Sequence, residues 1–174
     1  MKKLVYILLF AVVFGGFIYS RISKSRTKTT SSKTEDLVSA SNQVEIKRDF
    51  EFPIQNAGKK VSLKFSLNSA QLTNTIANQG KPIKSNSDQQ FLIIFLELQN
   101  DSQYPININS QDFVRLIGEK DKKYAPDLYN GQIEVAPISV KRDEIGFAVT
   151  ADKKQFQIQV GEINKDKETI DINF

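Results

Sequence analysis

Glu97, Asp112 and Asp127 are the side chains from which this chain would have to build a reaction. Glu97 stands at the end of the most apolar run, where a carboxylate is either sealed in and holds its proton more tightly or points to solvent at a strand end. Asp127 lies near Tyr124 and Tyr129, a small polar cluster. A hydrolytic scheme needs a second acid or a base converging on the first. The 174 residues contain no cysteine and no histidine. Disulfides, zinc–thiolate sites, thiol nucleophiles, His-based triads and imidazole bases are therefore all excluded. There is no Asp-x-Asp-x-Asp-Gly calcium loop and no glycine-rich phosphate loop. Ser25-x-x-Lys28 has the spacing of a Ser–Lys pair, but its polar surroundings offer no cleft to desolvate the lysine. Asn100-Asp101-Ser102 fits a glycosylation acceptor but reads as a turn. No catalytic, cofactor-binding or metal-binding residue is assigned, no cofactor is expected, and the expectation is a protein that is not an enzyme.

The charge is unevenly placed. Of 24 Lys/Arg and 20 Asp/Glu, residues 1–45 hold seven and three, so residues 46–174 hold 17 of each. A nucleic-acid-binding domain carries its positive excess on the fold, and this one is neutral there, so no nucleic acid is expected as partner. The pairs Lys59-Lys60, Lys122-Lys123, Lys141-Arg142 and Lys153-Lys154 fall near predicted strand ends. They read as solvated turn residues that protect sheet edges, with docking to anionic wall polymer or lipid as the competing reading.

The N-terminus supplies an address. Lys2 and Lys3 precede an uncharged stretch from Leu4 to Ser20, closed by Arg21. As a helix it spans roughly 25 Å, a little less than a bilayer's hydrocarbon core. It is apolar on every face, begins the chain and is followed by a polar segment, which argues against a core helix. Cleavage near Gly15 or Ser20 is conceivable, yet neither site shows an Ala-x-Ala pattern. Tyr19 and Arg21 suit an interfacial aromatic and a snorkelling cation. Residues 1–20 are accordingly read as an N-terminal transmembrane helix that stays attached. Five Lys/Arg follow the span, which by charge bias alone would hold the domain in the cytoplasm. A short basic leader, an apolar core and a long polar chain point instead to export. The expected location is a single-pass protein of the cell membrane, N-terminus cytoplasmic and C-terminal domain extracytoplasmic.

Residues 21–45 are rich in Ser, Thr and Lys, with no sustained period. Too little apolar surface is present to offset the entropy of ordering, so this segment reads as a flexible basic tether. Its reach as a coil is about 25–30 Å.

From residue 46 onward the dominant period is two. Val61, Leu63, Phe65 and Leu67 alternate with Ser62, Lys64 and Ser66. Phe156, Ile158 and Val160 alternate with glutamines, and Ile170, Ile172 and Phe174 with Asp171 and Asn173. These predict strands with one buried face in an antiparallel sheet. Residues 91–98 (FLIIFLEL) are apolar on both faces and predict a central strand covered on each side. Further strands are expected at 46–52, 104–109, 112–117, 122–125 and 143–150. Eight or so strands make the domain 46–174 an all-β antiparallel sandwich, with a barrel as alternative. Two polar insertions, Thr73–Gln90 and Pro126–Ser139, read as long connections.

Asn100, Pro105, Ile106, Phe113, Leu116 and Tyr124 carry a resemblance to a bacterial family, the domain of unknown function 4352. Its pattern is a hydrophobic strand, Asn-Asn-x-x-x-x-Pro-Ile, a strand with Phe and Leu, then an Asp/Gly turn before Tyr. Asp101 replaces the second Asn, lysines stand in the turn before Tyr124, and Ile138 follows Pro137 where the family tends to have Pro-Gly. The resemblance covers roughly 58–174 and implies an immunoglobulin-like fold in an exported, membrane-tethered domain. It supplies no catalytic residues. The antibody-type disulfide and buried Trp are absent from this sequence.

The expected function is a membrane-anchored extracytoplasmic β-sandwich acting as a binding or interaction module of the cell envelope. Its partners are the membrane, through the N-terminal helix, and another envelope protein or wall polymer. The alternatives are a purely structural envelope spacer and a loop-borne carboxylate hydrolase.

Overall fold

Strand alternation governs the chain from Asn42 to Phe174. The computed structural model describes residues 42–174, apart from 57, 79 and 80. The anchor read at 1–20 and residues 21–41 of the tether lie outside the described residues. In chain order the strands are β1 (Asn42–Asn56), β2 (Lys59–Thr73), β3 (Thr75–Asn78), β4 (Lys81–Lys84), β5 (Gln89–Asn100), β6 (Ile106–Asn109), β7 (Val114–Ile117), β8 (Lys123–Tyr124), β9 (Leu128–Tyr129), β10 (Gln132–Val135), β11 (Ser139–Thr150), β12 (Gln155–Val160) and β13 (Glu168–Asn173). Short 3-10 turns occupy Ser110–Asp112 and Glu119–Asp121.

Every strand pairing is antiparallel. One sheet has the order β1-β2-β5-β11-β9, and the other β13-β12-β7-β8. Two small pairs, β10-β6 and β3-β4, complete the set. The alternation decides which side chains meet. Leu63, Phe65 and Leu67 of β2, Leu92, Ile94, Leu96 and Leu98 of β5, and Ile145 and Phe147 of β11 form the inner face of the first sheet. Val114, Leu116, Phe156, Ile158, Val160, Ile170 and Ile172 face them from the second, and all belong to one buried cluster. The described residues form a β-sandwich, and each fully buried Leu, Ile or Phe stabilises it by roughly 1.5–3 kcal/mol. Phe113 crosses between the layers, with its ring 4.7 Å from that of Phe52 and 5.5 Å from that of Phe65.

The doubly apolar strand is β5, third of five in its sheet. Its outward-facing Ile93 is buried, and Phe91 and Phe95 are half-buried. Cover on that face comes partly from Leu128 of β9. The opposite partner of Leu128 is Gly146, and a Cβ on Gly146 would stand 2.8 Å from Ile93 Cδ1 and 2.9 Å from Leu128 Cδ1. Only the bare backbone lets these two side chains close over it.

The structure corrects several boundaries. Residues 42–45, assigned to the tether by composition, are strand, and β1 and β2 each run 15 residues. The insertion Thr73–Gln90 holds the β3–β4 hairpin, in which Ile76 faces Ile83. The insertion Pro126–Ser139 holds β9 and β10. Strands of two to four residues are too short to display a period. The edge strand β1 is long, and it is made a poor template for other chains by charges, by Pro53 and by a register shift between Glu45 and Arg48.

Candidate functional site

The two sheets part at the edge formed by β8 and β9, strands of two residues each. Between them lies a cleft of about 320 Å³. Leu116, Phe147, Val149 and Phe156 supply its buried apolar surface, while Tyr124, Asp127, Thr150 and Lys153 supply polar groups. Tyr124 is half exposed. Its position depends on Gly118, because any Cβ there would overlap the ring at Cε2 and Cδ2. The Lys153 ammonium lies 5.5 Å from the centre of the Phe156 ring, a cation–π arrangement at the mouth.

Asp127 is used by the fold. Its Oδ2 accepts a hydrogen bond from Ala148 N at 2.8 Å, and its own main-chain N donates to Gly146 O at 2.8 Å. The carboxylate thus takes the place of a strand partner just before β9 begins. Tyr124 lines the inter-sheet cleft beside it, whereas Tyr129 lines a second cleft, on the outer face, which Asp127 also touches. Asp112 belongs to another hollow, with Arg115 and Lys123. Glu97 lines none of these; it points outward from β5, half-buried, with its Oε2 3.9 Å from Arg142 Nε. The three carboxylates on which a hydrolytic reading would rest are therefore placed apart. Among the described residues no group of three or more Asp/Glu could hold a metal ion.

Buried polar groups that the sequence did not flag carry structural work. Gln90 Nε2 donates to the main-chain oxygens of Thr150 and Lys153, closing the β11–β12 turn. Asp143 is buried and accepts from Asn130 Nδ2 at 2.7 Å. Its signal was available, since Asp143 precedes Ile145, Phe147 and Val149 on the inward parity of β11. Of the basic pairs, Lys59-Lys60, Lys122-Lys123 and Lys153-Lys154 do lie at strand ends or turns, but Lys141-Arg142 lies inside β11. Lys59 donates to the Tyr104 hydroxyl and sits 3.9 Å from the centre of its ring.

Five of the six residues that carry the resemblance have these places in the structure. Asn100 is fully buried; its Nδ2 donates to the oxygens of Tyr104, Val135 and Ala136, and its Oδ1 accepts from Ser102 N and Oγ. Ile106 and Leu116 are core, Phe113 bridges the layers, and Tyr124 flanks the cleft.

Neither a family model nor a curated protein matches the chain. Solved structures do. A conserved hypothetical protein from Bacillus anthracis is similar over 75% of this chain and 96% of that one, at 17% identity and a TM-score of 0.53. An uncharacterized β-sandwich protein from Clostridium difficile is similar over 74% of this chain and 97% of that one, at 10% identity and a TM-score of 0.48. At such identity the likeness to the Bacillus anthracis protein is one of fold alone.

Proposed function

We propose that this chain is a binding module of the cell envelope: an immunoglobulin-like sandwich held outside the membrane by residues 1–20 and a short basic tether. The inter-sheet cleft carries the reading. It couples an apolar surface to a mixed polar mouth, the composition of a recognition site. The uncharged stretch Leu4–Ser20 and the resemblance to the domain of unknown function 4352 support export and anchoring.

Two measurements test this. Protease added to intact cells should remove the domain, and protection until lysis would place it in the cytoplasm. A photo-crosslinking residue at Tyr124 should trap a specific partner in living cells, while the same residue at Lys60, outside the cleft, should not. Equal trapping at both positions would remove the cleft from the function.

A further inference from the structure

A smaller hollow of about 120 Å³ lies on the outer face of the second sheet, away from the inter-sheet cleft. Three cations from three elements line it: Arg115 of β7, Lys123 of β8 and Lys167 of the β12–β13 loop. Gln159 of β12 and the Asp112 carboxylate line it too. Gly161 makes the arrangement possible. Its φ is +148°, and a Cβ there would stand 2.7 Å from Asp166 O and 2.9 Å from Lys167 Cγ. The loop can therefore fold back and bring Lys167 to the hollow.

Two of the three cations are held by main-chain oxygens, and none is neutralised by an ion pair. Arg115 Nη1 donates to the main-chain oxygens of Gln111 and Val114, and Lys167 Nζ donates to Ile163 O at 2.6 Å. Among the described residues none of the three is in an ion pair. Gln159 Oε1, meanwhile, is buried without a hydrogen-bond partner. Such a group is costly to leave unpaired, and because the oxygen is covered in this conformation, a donor in the hollow reaches it once the Gln159 side chain turns outward.

We propose that this hollow binds a phosphate ester bearing a hydroxyl close to the phosphate. Cations from three elements suit a tetrahedral oxyanion, which offers one oxygen to each, better than a planar carboxylate with two. With the Gln159 side chain turned into the hollow, the hydroxyl supplies the proton that Oε1 lacks, and Asp112 can accept from a second. The volume admits one ester group, leaving the rest of the ligand in solvent. A free polyol phosphate, a phosphodiester polymer and a lipid headgroup share this chemistry.

The test uses the full chain in phosphatidylcholine nanodiscs, titrated calorimetrically with glycerol 1-phosphate. Saturable binding is expected, weakened at least tenfold by Lys123→Gln with no change in Tm. Gln159→Leu is the sharper variant. It should weaken binding similarly while raising Tm, because it removes a buried acceptor that no protein group satisfies. Ethyl phosphate, which lacks the hydroxyl, should bind at least tenfold more weakly than glycerol 1-phosphate. In phosphatidylglycerol nanodiscs, suppressed binding of the soluble probe would assign the phosphate to lipid headgroups, and unchanged binding to a free or polymeric ester. Absence of saturable binding in phosphatidylcholine, or unchanged, wild-type affinity in the two variants, would overturn the proposal.

Discussion

The side-chain amide of Asn100 donates to the main-chain oxygen of Tyr104 at 2.7 Å, pulling the loop 101–105 shut over the end of β5. The same amide reaches Val135 and Ala136 oxygens at 3.1 Å, so one buried side chain pins two loops. Asn100→Ala should destabilise the domain by about 3 kcal/mol, because buried carbonyls lose their donor. Asn100→Asp should cost at least as much at neutral pH, since it sets a carboxylate against three carbonyl oxygens. Part of that loss should return on acidification, when the acid regains a proton to donate. Chemical denaturation at pH 7 and pH 4 measures both.

Gly118 and Tyr124 form a second dependent pair. Gly118→Ala should cost about 1–2 kcal/mol, because the new methyl group overlaps the tyrosine ring. In a Tyr124→Ala background the same substitution should cost almost nothing. A double-mutant cycle reads the coupling directly.

Ile138 has φ +48°, a left-handed conformation that a β-branched residue disfavours, and its side chain is 64% exposed. It stands where the resembled family tends to have glycine. Its main-chain N donates to Ser102 O at 3.1 Å, a bond that any residue can make. Ile138→Gly should therefore stabilise the domain by about 1 kcal/mol, the released strain exceeding glycine's greater freedom when unfolded. A fall in Tm would show that the exposed isoleucine makes a contact that outweighs its strain.

Lys64 Nζ lies 2.9 Å from Asp101 Oδ2. The hydrogen bond from Lys64, followed by one from Gln99, lowers the Asp101 pKa below its ordinary 3.8. The hydrogen bond to Asp101 raises Lys64 above its ordinary 10.5. A lowered carboxylate contributes stability above its unfolded pKa and loses it as pH falls through the folded value. A raised lysine contributes below its unfolded pKa and loses it as pH rises through the folded value. The pair's contribution should thus be flat from about pH 5 to pH 9, fading below pH 3.8 and above pH 10.5. Both groups are exposed, so the effect is small and screened by salt. Asp101→Asn should shrink the acid limb of the Tm–pH curve at low ionic strength and leave it unchanged in molar salt.

Alternation by itself determined the layers of this protein. Val61 to Leu67, Phe156 to Val160 and Ile170 to Phe174 reach the core because a strand's side chains change face at every residue. The run Phe91–Leu98 had to be central, because only a covered strand can hide both faces. The absence of histidine and cysteine likewise fixed which chemistries were closed to the chain. Other features depend on residues distant in sequence. β9 and β10 are too short to show a period, and they form where β11 and β6 pair with them, while the equally short β3 and β4 pair with each other. The cleft at Phe147 and Phe156 exists because two edge strands stop after two residues and leave the sheets apart. Arg115, Lys123 and Lys167 belong to no spacing motif. Folding gathers them, since β7 pairs with both β8 and β12, and Gly161 turns the next loop back onto them. Periodicity records which face each residue presents to its own strand's neighbours. It holds no record of which distant strands will lie alongside, and in this protein that pairing decides where charge and open apolar surface meet.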